Sequence, residues 1–159
     1  MPHASGQSYI VGIRGEVFNY EASAGKVVQV DPQNPNGTVY HTNHPVKNDN
    51  LKSWYAEYHP DKSSELQTDN SYIRLASLES RMSHDQIVNA DLIKETLRSR
   101  DDPSNPVCRT NNGRGFTFGS TIMTLTGELH MMVTAGPPDE SEYQRYDFSS
   151  RWTSAGGKK

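Results

Sequence analysis

The apolar positions of the first forty residues fall in short runs that predict β-strands. Residues 8–13, 16–21 and 26–30 are rich in valine, isoleucine and aromatic residues. Residues 38–42 form a fourth run, β-branched and aromatic, after a loop dense in proline, asparagine and glycine. Because successive side chains of a strand face opposite sides of a sheet, short runs at this spacing predict an antiparallel meander.

The middle of the chain carries apolar residues at helical spacing. Residues 51–58 predict a short helix, which Pro60 ends. Residues 70–82 have apolar positions three and four residues apart, which predicts a helix with one buried side. A serine followed three residues later by glutamine at 83–86 fits a capping box and predicts the start of another helix. The inward side chains of that helix would be Ile87, Val88, Leu92, Ile93 and Leu97.

The last third of the chain returns to strand patterns. Residues 116–125 and 129–135 flank a turn that contains Gly127, which predicts a hairpin. Residues 143–148 would pack through their aromatic side chains. Strands, then helices, then strands indicate an α+β fold. We expect residues 3–148 to form the folded domain and residues 149–159 to be a disordered tail.

The composition predicts a thin hydrophobic core. Hydrophobic residues make up 33% of the 159 residues and the mean hydropathy is -0.81. Even with glycine added, this is below the usual share of about 45–50% for globular domains. Either long stretches are loops, or further polypeptide completes the core.

Charge and hydropathy exclude several classes of function. Lysine and arginine number 16 against 19 acidic residues, giving a net charge of -3. A nearly balanced charge argues against nucleic acid or an anionic membrane as the main partner. No apolar run approaches the roughly 20 residues that a membrane span needs. The first residues also lack a basic segment followed by an apolar run, so no signal peptide is visible.

Cys108 is the single cysteine, which excludes an intrachain disulfide and a cysteine-based zinc site within this sequence. The scarcity of cysteine favours the cytoplasm as the compartment. A lone cysteine can be a nucleophile where a neighbour lowers its pKa, and Arg109 would favour the thiolate. The commoner alternative is a small buried hydrophobic side chain.

No pattern in the sequence predicts a metal or a bound cofactor. His41 and His44 are three residues apart at the end of a predicted strand, where their side chains would point to opposite faces. The other histidines are scattered. The phosphate-binding loop, the dinucleotide-binding fingerprint and the HExxH zinc motif are all missing from the sequence.

Two polar residues are candidates for a site. Asn43 follows the predicted strand, where its amide could donate to a developing oxyanion; a turn asparagine bonded to its own backbone is the commoner case. Arg74 lies on a predicted helix among apolar residues and could neutralise a carboxylate or phosphate. A solvated helix arginine is again the commoner case.

Several motifs together resemble one known family. Residues 41–45, His-Thr-Asn-His-Pro, resemble the HTNH motif of acyl-CoA:isopenicillin-N acyltransferase-like proteins. Residues 4–9 with the Glu21 strand resemble the segment before that motif, and residues 71–74 resemble the helix after it. Residues 116–125, the Gly-Pro-Pro run at 136–138 and Tyr143 resemble the closing hairpin. The resemblance covers nearly all of residues 3–148, in the order of the family.

The resemblance implies an N-terminal-nucleophile hydrolase related to choloylglycine hydrolases and penicillin V acylases. Such proteins have an αββα sandwich, and a precursor cleaves itself to free an N-terminal cysteine. The thiol attacks a linear amide or an acyl thioester and forms an acyl-enzyme, with the cysteine's own amino group as base. By motif position, Asn43 would be an oxyanion-hole donor and Arg74 would orient the substrate or the nucleophile. Acyl-CoA would be an acyl donor rather than a bound cofactor.

One departure from the family pattern concerns the nucleophile. The family's cysteine lies far upstream of the HTNH motif, whereas the 42 residues before Asn43 contain no cysteine and Cys108 is internal. The resemblance therefore implies the carboxy-terminal part, about half of the sandwich, inactive without an amino-terminal half or subunit. Its substrate would be a small acylated amide or thioester, and an oligomer is possible.

Two alternatives to that interpretation stay open. The first is a truncated, non-catalytic relative that binds a small amide or acyl chain or serves as an interaction module. The second is an unrelated thiol enzyme that uses Cys108.

Overall fold

The computed structural model describes residues 7–13, 16–32, 35–58, 70–82, 87–109 and 115–148. Within these residues the fold is α+β, as the strand–helix–strand pattern predicts. The elements in chain order are β1 (Gln7–Ile13), β2 (Glu16–Ser23), β3 (Lys26–Val30), α1 (Asp49–Tyr58), α2 (Asn70–Met82), α3 (Ala90–Arg98), β4 (Thr121–Thr124), β5 (His130–Thr134) and β6 (Tyr143–Asp147).

The first sheet is an antiparallel meander in the order β1-β2-β3. This confirms the first three predicted strands. The fourth, at residues 38–42, is wrong, because this segment joins neither sheet. Its Tyr40 side chain is instead buried against Leu78 and Met82 of α2. The β-branched and aromatic pattern therefore reflects side-chain packing rather than ladder hydrogen bonds.

The three helices match the prediction except that α3 begins later than predicted. Helices α1 and α2 are confirmed. Helix α3 begins at Ala90, where the Asn89 side chain accepts a hydrogen bond from the Leu92 backbone over 2.9 Å. The predicted helical positions of Ile87 and Val88 are wrong, since both residues precede the helix, and Ile87 is 85% exposed. The capping-box residues 83–86 lie outside the described residues.

The second sheet is antiparallel in the order β4-β5-β6. It confirms the predicted hairpin, with a left-handed φ of 68° at Gly127 in the turn. The strands are shorter than predicted, since residues 116–120 precede β4. Residues 143–147 form a third strand, which the sequence pattern did not predict. The αββα layering that the family resemblance implies stays a prediction, as do the boundaries at residues 3 and 149.

One cluster of buried hydrophobic side chains lies between the 38–42 segment and α2. Tyr40, Leu78 and Met82 form it, with Leu75 and Val107 packed against them. Many of the other buried side chains are polar, and several of these surround residues 41–48. Among the described residues, no helix is long and apolar enough to cross a membrane.

Candidate functional site

A buried carboxylate anchors the segment that carries the His-Thr-Asn-His-Pro motif. Glu21 lies on β2 with its side chain only 1% exposed. One of its oxygens accepts hydrogen bonds from His41 Nε2 over 2.8 Å and from the Val46 backbone. The other accepts from the backbone nitrogens of Lys47, at 2.9 Å, and Asn48, at 2.6 Å. Burying a carboxylate costs free energy unless such donors compensate it.

These donors also set the ionisation state of the carboxylate. Burial alone raises the pKa of Glu21, but the backbone donors of residues 46–48 and the His41 ring outweigh it. The pKa of Glu21 is therefore below its usual value, and the group is ionised at neutral pH. The ionised carboxylate fixes the chain direction of residues 41–48 against β2.

Ser71, in the first turn of α2, holds the motif from the other side. Its Oγ accepts hydrogen bonds from the backbone nitrogens of Asn43, at 2.8 Å, and His44, at 3.0 Å. The same oxygen lies 2.9 Å from His44 Nδ1 and 3.1 Å from Thr42 Oγ1. Since a hydroxyl oxygen has one proton and two lone pairs, the two backbone donors occupy its acceptor positions. The buried Ser71–His44 pair is thus a structural contact rather than an activated nucleophile.

The rings of the two motif histidines face different side chains. His41 Nε2 contacts Glu21, whereas the His44 ring stacks on Tyr72 with centroids 3.6 Å apart and an interplanar angle of 20°. The described residues contain no group of three or more His, Cys, Asp or Glu residues that could hold a metal ion. The strand end on which the prediction for these two histidines relied is absent from the structure. His41 Nε2 faces Glu21, and the His44 ring faces Ser71 and Tyr72.

Between these two anchors the Asn43 side chain is exposed and contacts Arg74. Arg74 Nη2 donates to Asn43 Oδ1 over 2.8 Å, and its Nε donates to Asn70 Oδ1 over 2.8 Å. Asn70 Nδ2 in turn donates to Asn105 Oδ1 over 3.1 Å. The structure therefore brings together the two site residues that the sequence singled out.

The polarity of these bonds fixes the orientation of the Asn43 amide. A guanidinium is only a donor, so the Asn43 oxygen faces Arg74 and the amide nitrogen faces away from it. The exposed side of the motif thus presents two N–H groups with a cationic side chain behind them. Such an arrangement can donate hydrogen bonds to an anionic oxygen.

The thiol of Cys108 is buried and protonated, whereas a nucleophilic cysteine needs an accessible thiolate. The thiol is fully buried and donates to Asp139 Oδ1 over 2.8 Å. Burial first, and then the hydrogen bond to Asp139, raise the pKa of Cys108 to about 11. The expectation that Arg109 favours a thiolate is wrong, because burial and Asp139 raise the pKa of Cys108 and the cation that opposes them is Arg100.

Sequence reasoning assigned no role to Glu21, Ser71, Asn70 or Asn105. Glu21 lies on the strand face opposite Phe18 and Tyr20, so the alternation did not indicate that its carboxylate would be buried. Ser71 lies close to Arg74 in the sequence but has no distinguishing pattern. The two asparagines meet only through the packing of α2 against residues 101–109, which no local pattern reveals.

Comparison with protein families gives one match. The family model described as acyl-coenzyme A:6-aminopenicillanic acid acyl-transferase matches residues 1–135. This range includes Glu21, the 41–48 segment, Ser71 and Arg74. Comparison with curated proteins and with solved structures gives no match.

Proposed function

Because this chain belongs to the acyl-coenzyme A:6-aminopenicillanic acid acyl-transferase family, we propose that it carries the oxyanion-stabilising part of an acyl-transfer site. The family match confirms the resemblance that the sequence motifs indicated. The substrate class we propose is a small acylated amide or acyl thioester, with acyl-CoA as a possible donor. The reaction is acyl transfer to water or to an amine through an acyl-enzyme.

The hydrogen bond from Arg74 to Asn43 is the observation that carries this proposal. It turns the amide nitrogen of Asn43 outward on a motif that Glu21 and Ser71 hold in place. A donor is most effective in catalysis when it is oriented before the charge develops, because no reorganisation is then needed. The two anchors and the guanidinium provide that pre-organisation.

In the proposed mechanism, Asn43 acts on the carbonyl oxygen of the substrate. Attack on the carbonyl carbon moves the π electrons onto this oxygen, and Asn43 Nδ2 donates a hydrogen bond to the resulting anion. Collapse of the tetrahedral intermediate expels the amine or thiol and leaves the acyl group on the nucleophile. Loss of one oxyanion donor typically lowers kcat by about 10²–10³. Arg74 orients the Asn43 amide and adds positive charge near the anion.

We propose that the nucleophile belongs to polypeptide other than these 159 residues. The sequence holds a single cysteine, and burial and Asp139 keep it protonated. The family resemblance implies an N-terminal cysteine, which an internal residue such as Cys108 does not provide. This chain would then bind acyl substrates without turning them over, and an amino-terminal half or subunit would complete the enzyme.

The second candidate function is binding without catalysis. For this chain alone, the buried and protonated Cys108 favours binding without catalysis. Its thiol is unreactive, whereas the Asn43 and Arg74 groups that would bind a substrate are in place. Activity restored by an amino-terminal part that carries a cysteine would separate the two functions. Addition of such a part without any turnover would favour the binding module.

The experiment that tests the assignment of the nucleophile is intact-mass spectrometry after brief exposure to a reactive phenylacetyl thioester. We expect no rapid stoichiometric adduct on the folded chain, while a peptide with a free N-terminal cysteine in the same tube is acylated. The Cys108→Ala variant is the matched control and should give the same spectrum. A fast single adduct that maps to Cys108 would overturn the proposal.

A further inference from the structure

The guanidinium of Arg74 connects Asn43 to a second asparagine, which lies on the same helix as the arginine. Its Nε donates over 2.8 Å to Oδ1 of Asn70, about one turn earlier in α2. Its Nη2 donates over 2.8 Å to Oδ1 of Asn43. Because the guanidinium is planar and its N–H groups form a rigid fork, fixing the direction of Nε also fixes that of Nη2. The position of Asn70 therefore determines how Arg74 meets the Asn43 amide.

Asn105 contacts the Asn70 amide from the other side. Since Arg74 can only donate, the oxygen of Asn70 faces Arg74 and its nitrogen faces away. That nitrogen donates to Asn105 Oδ1 over 3.1 Å. A reversed Asn70 amide would bring two donors together at Arg74 and two acceptors together at Asn105. Asn105 thus supplies one of the two contacts that determine the orientation of Asn70.

The turn that carries Asn105 is itself held in place. The Asn105 backbone nitrogen donates to the backbone oxygen of Asp102 over 3.1 Å and to its Oδ1 over 3.0 Å. The Ser104 nitrogen donates to the same Oδ1 over 2.8 Å. At the start of the turn, Asp101 accepts a hydrogen bond of 2.6 Å from Arg81 Nε, near the end of α2. The turn is therefore attached to both ends of the helix, which fixes the position of Asn105.

We propose that Asn105 is a positioning residue of the site, which acts on the Asn43 donor through Asn70 and Arg74. This inference rests on the proposed oxyanion-stabilising role of Asn43. A donor oriented before the charge develops needs no reorganisation during the reaction, and hydrogen bonds in a chain also strengthen one another. The acceptors in this chain are neutral amide oxygens, so the chain orients Arg74 without neutralising its charge.

The exchange rate of the Asn43 side-chain amide protons, measured by NMR on the chain without ligand, tests the positioning. We expect Asn105→Ala to raise this rate and Asn105→Asp, which keeps an acceptor for Asn70, to leave it unchanged. The matched control is Ser104→Ala, at an exposed neighbour in the same turn, which should also leave the rate unchanged. In an Arg74→Ala background, Asn105→Ala should have no further effect, because the path through the guanidinium is already broken.

The second measurement is the affinity for a benzylphosphonate monoester, a tetrahedral anion. We expect Asn105→Ala to weaken binding about two- to tenfold, the range of one neutral hydrogen bond. Ser104→Ala should bind as the unaltered chain does. If the alanine variant at 105 does not fold, Asn105→Ser gives the same test, because serine suits a turn but is too short to reach Asn70.

Two sets of outcomes separate this inference from the proposed function. An exchange rate or an affinity that does not respond to Asn105→Ala, or that responds equally to Ser104→Ala, would overturn the inference and leave the oxyanion role of Asn43 intact. A raised exchange rate in a chain that binds no phosphonate would confirm that Asn105 orients Asn43, and would overturn the oxyanion role instead.

Discussion

Arg74 donates a hydrogen bond of 2.8 Å to the side-chain oxygen of Asn43, joining helix α2 to a loop 31 residues earlier in the chain. The Asn43 backbone nitrogen also donates to Ser71 of the same helix. Side chain and backbone of one asparagine are thus held by residues three apart on one helix. This arrangement directs an amide donor outward.

The first prediction concerns the orientation of the Asn43 amide by Arg74. Arg74→Lys keeps the charge but cannot donate to both Asn43 and Asn70, because an ammonium lacks the guanidinium fork. We expect a changed chemical shift and faster exchange for the Asn43 side-chain amide, with less than about 1 kcal/mol lost in the free energy of unfolding. Arg145→Lys, at an exposed arginine in β6, is the matched control. An unchanged Asn43 signal in Arg74→Lys would show that the guanidinium does not orient the amide.

The second prediction concerns the Glu21 carboxylate. Glu21→Gln retains the shape but removes the charge and replaces one acceptor with a donor that faces backbone N–H groups. We expect a loss of about 2–4 kcal/mol in the free energy of unfolding, since buried donors are left without an acceptor. Urea denaturation measures it, with Glu57→Gln on the exposed side of α1 as control. Equal stability of the two variants would remove Glu21 as an anchor.

The third prediction concerns pH. The pKa of Glu21 is lower in the folded protein than in the unfolded chain, where it is about 4.3. The stability it provides is therefore complete above that value and is lost as the pH falls through the folded-state pKa. The stability that Asp101 contributes depends on pH in the same direction. Hydrogen bonds to Arg81 first, and then to Ser77, lower the pKa of Asp101 to about 2.

Thermal unfolding midpoints from neutral pH down to about pH 3 test this linkage. We expect the midpoint of the unaltered chain to fall on acidification, and Glu21→Gln to show a flatter dependence because one linked proton is removed. Parallel curves for the two proteins would mean that the pKa of Glu21 is the same in the folded and unfolded states.

The fourth prediction concerns the reactivity of Cys108. With a pKa of about 11 and a fully buried thiol, it should react with iodoacetamide at pH 8 only as fast as the protein opens. Asp139→Asn should lower that pKa, because the hydrogen bond to the carboxylate and its charge both disfavour the thiolate. The measurement is alkylation rate against urea concentration. A rate near that of free cysteine without denaturant would contradict the structure.

Where local pattern decides the structure, the sequence was a good guide. The first three strands and the start of α2 follow from alternation and helical spacing. Residues 38–42 have the same β-branched signature but pack Tyr40 on α2, so tertiary packing overrides local preference. The start predicted for α3 was wrong, because the helix begins at Ala90 with Asn89 as its N-cap.

Some residues of the candidate site could likewise be predicted from the sequence, and others could not. Asn43 and Arg74 could be identified because each belongs to a motif that resembles a family. Glu21 could not be assigned a role, because its partners lie 20 to 27 residues away and are mostly backbone nitrogens. Backbone donors leave no trace in sequence composition. Residues that hold a site through the main chain therefore become visible only in three dimensions.

The central claim is that Asn43 presents a pre-oriented oxyanion donor. The most direct test is a titration with a benzylphosphonate monoester, a tetrahedral anionic mimic of phenylacetyl transfer, followed through the ¹⁵N-labelled Asn43 side-chain amide. We expect this signal to shift saturably. Asn43→Asp retains the acceptor for Arg74 and should weaken binding about ten- to a hundredfold, the value of a hydrogen bond to a charged group. Equal binding by both proteins, or no shift at Asn43, would contradict the claim.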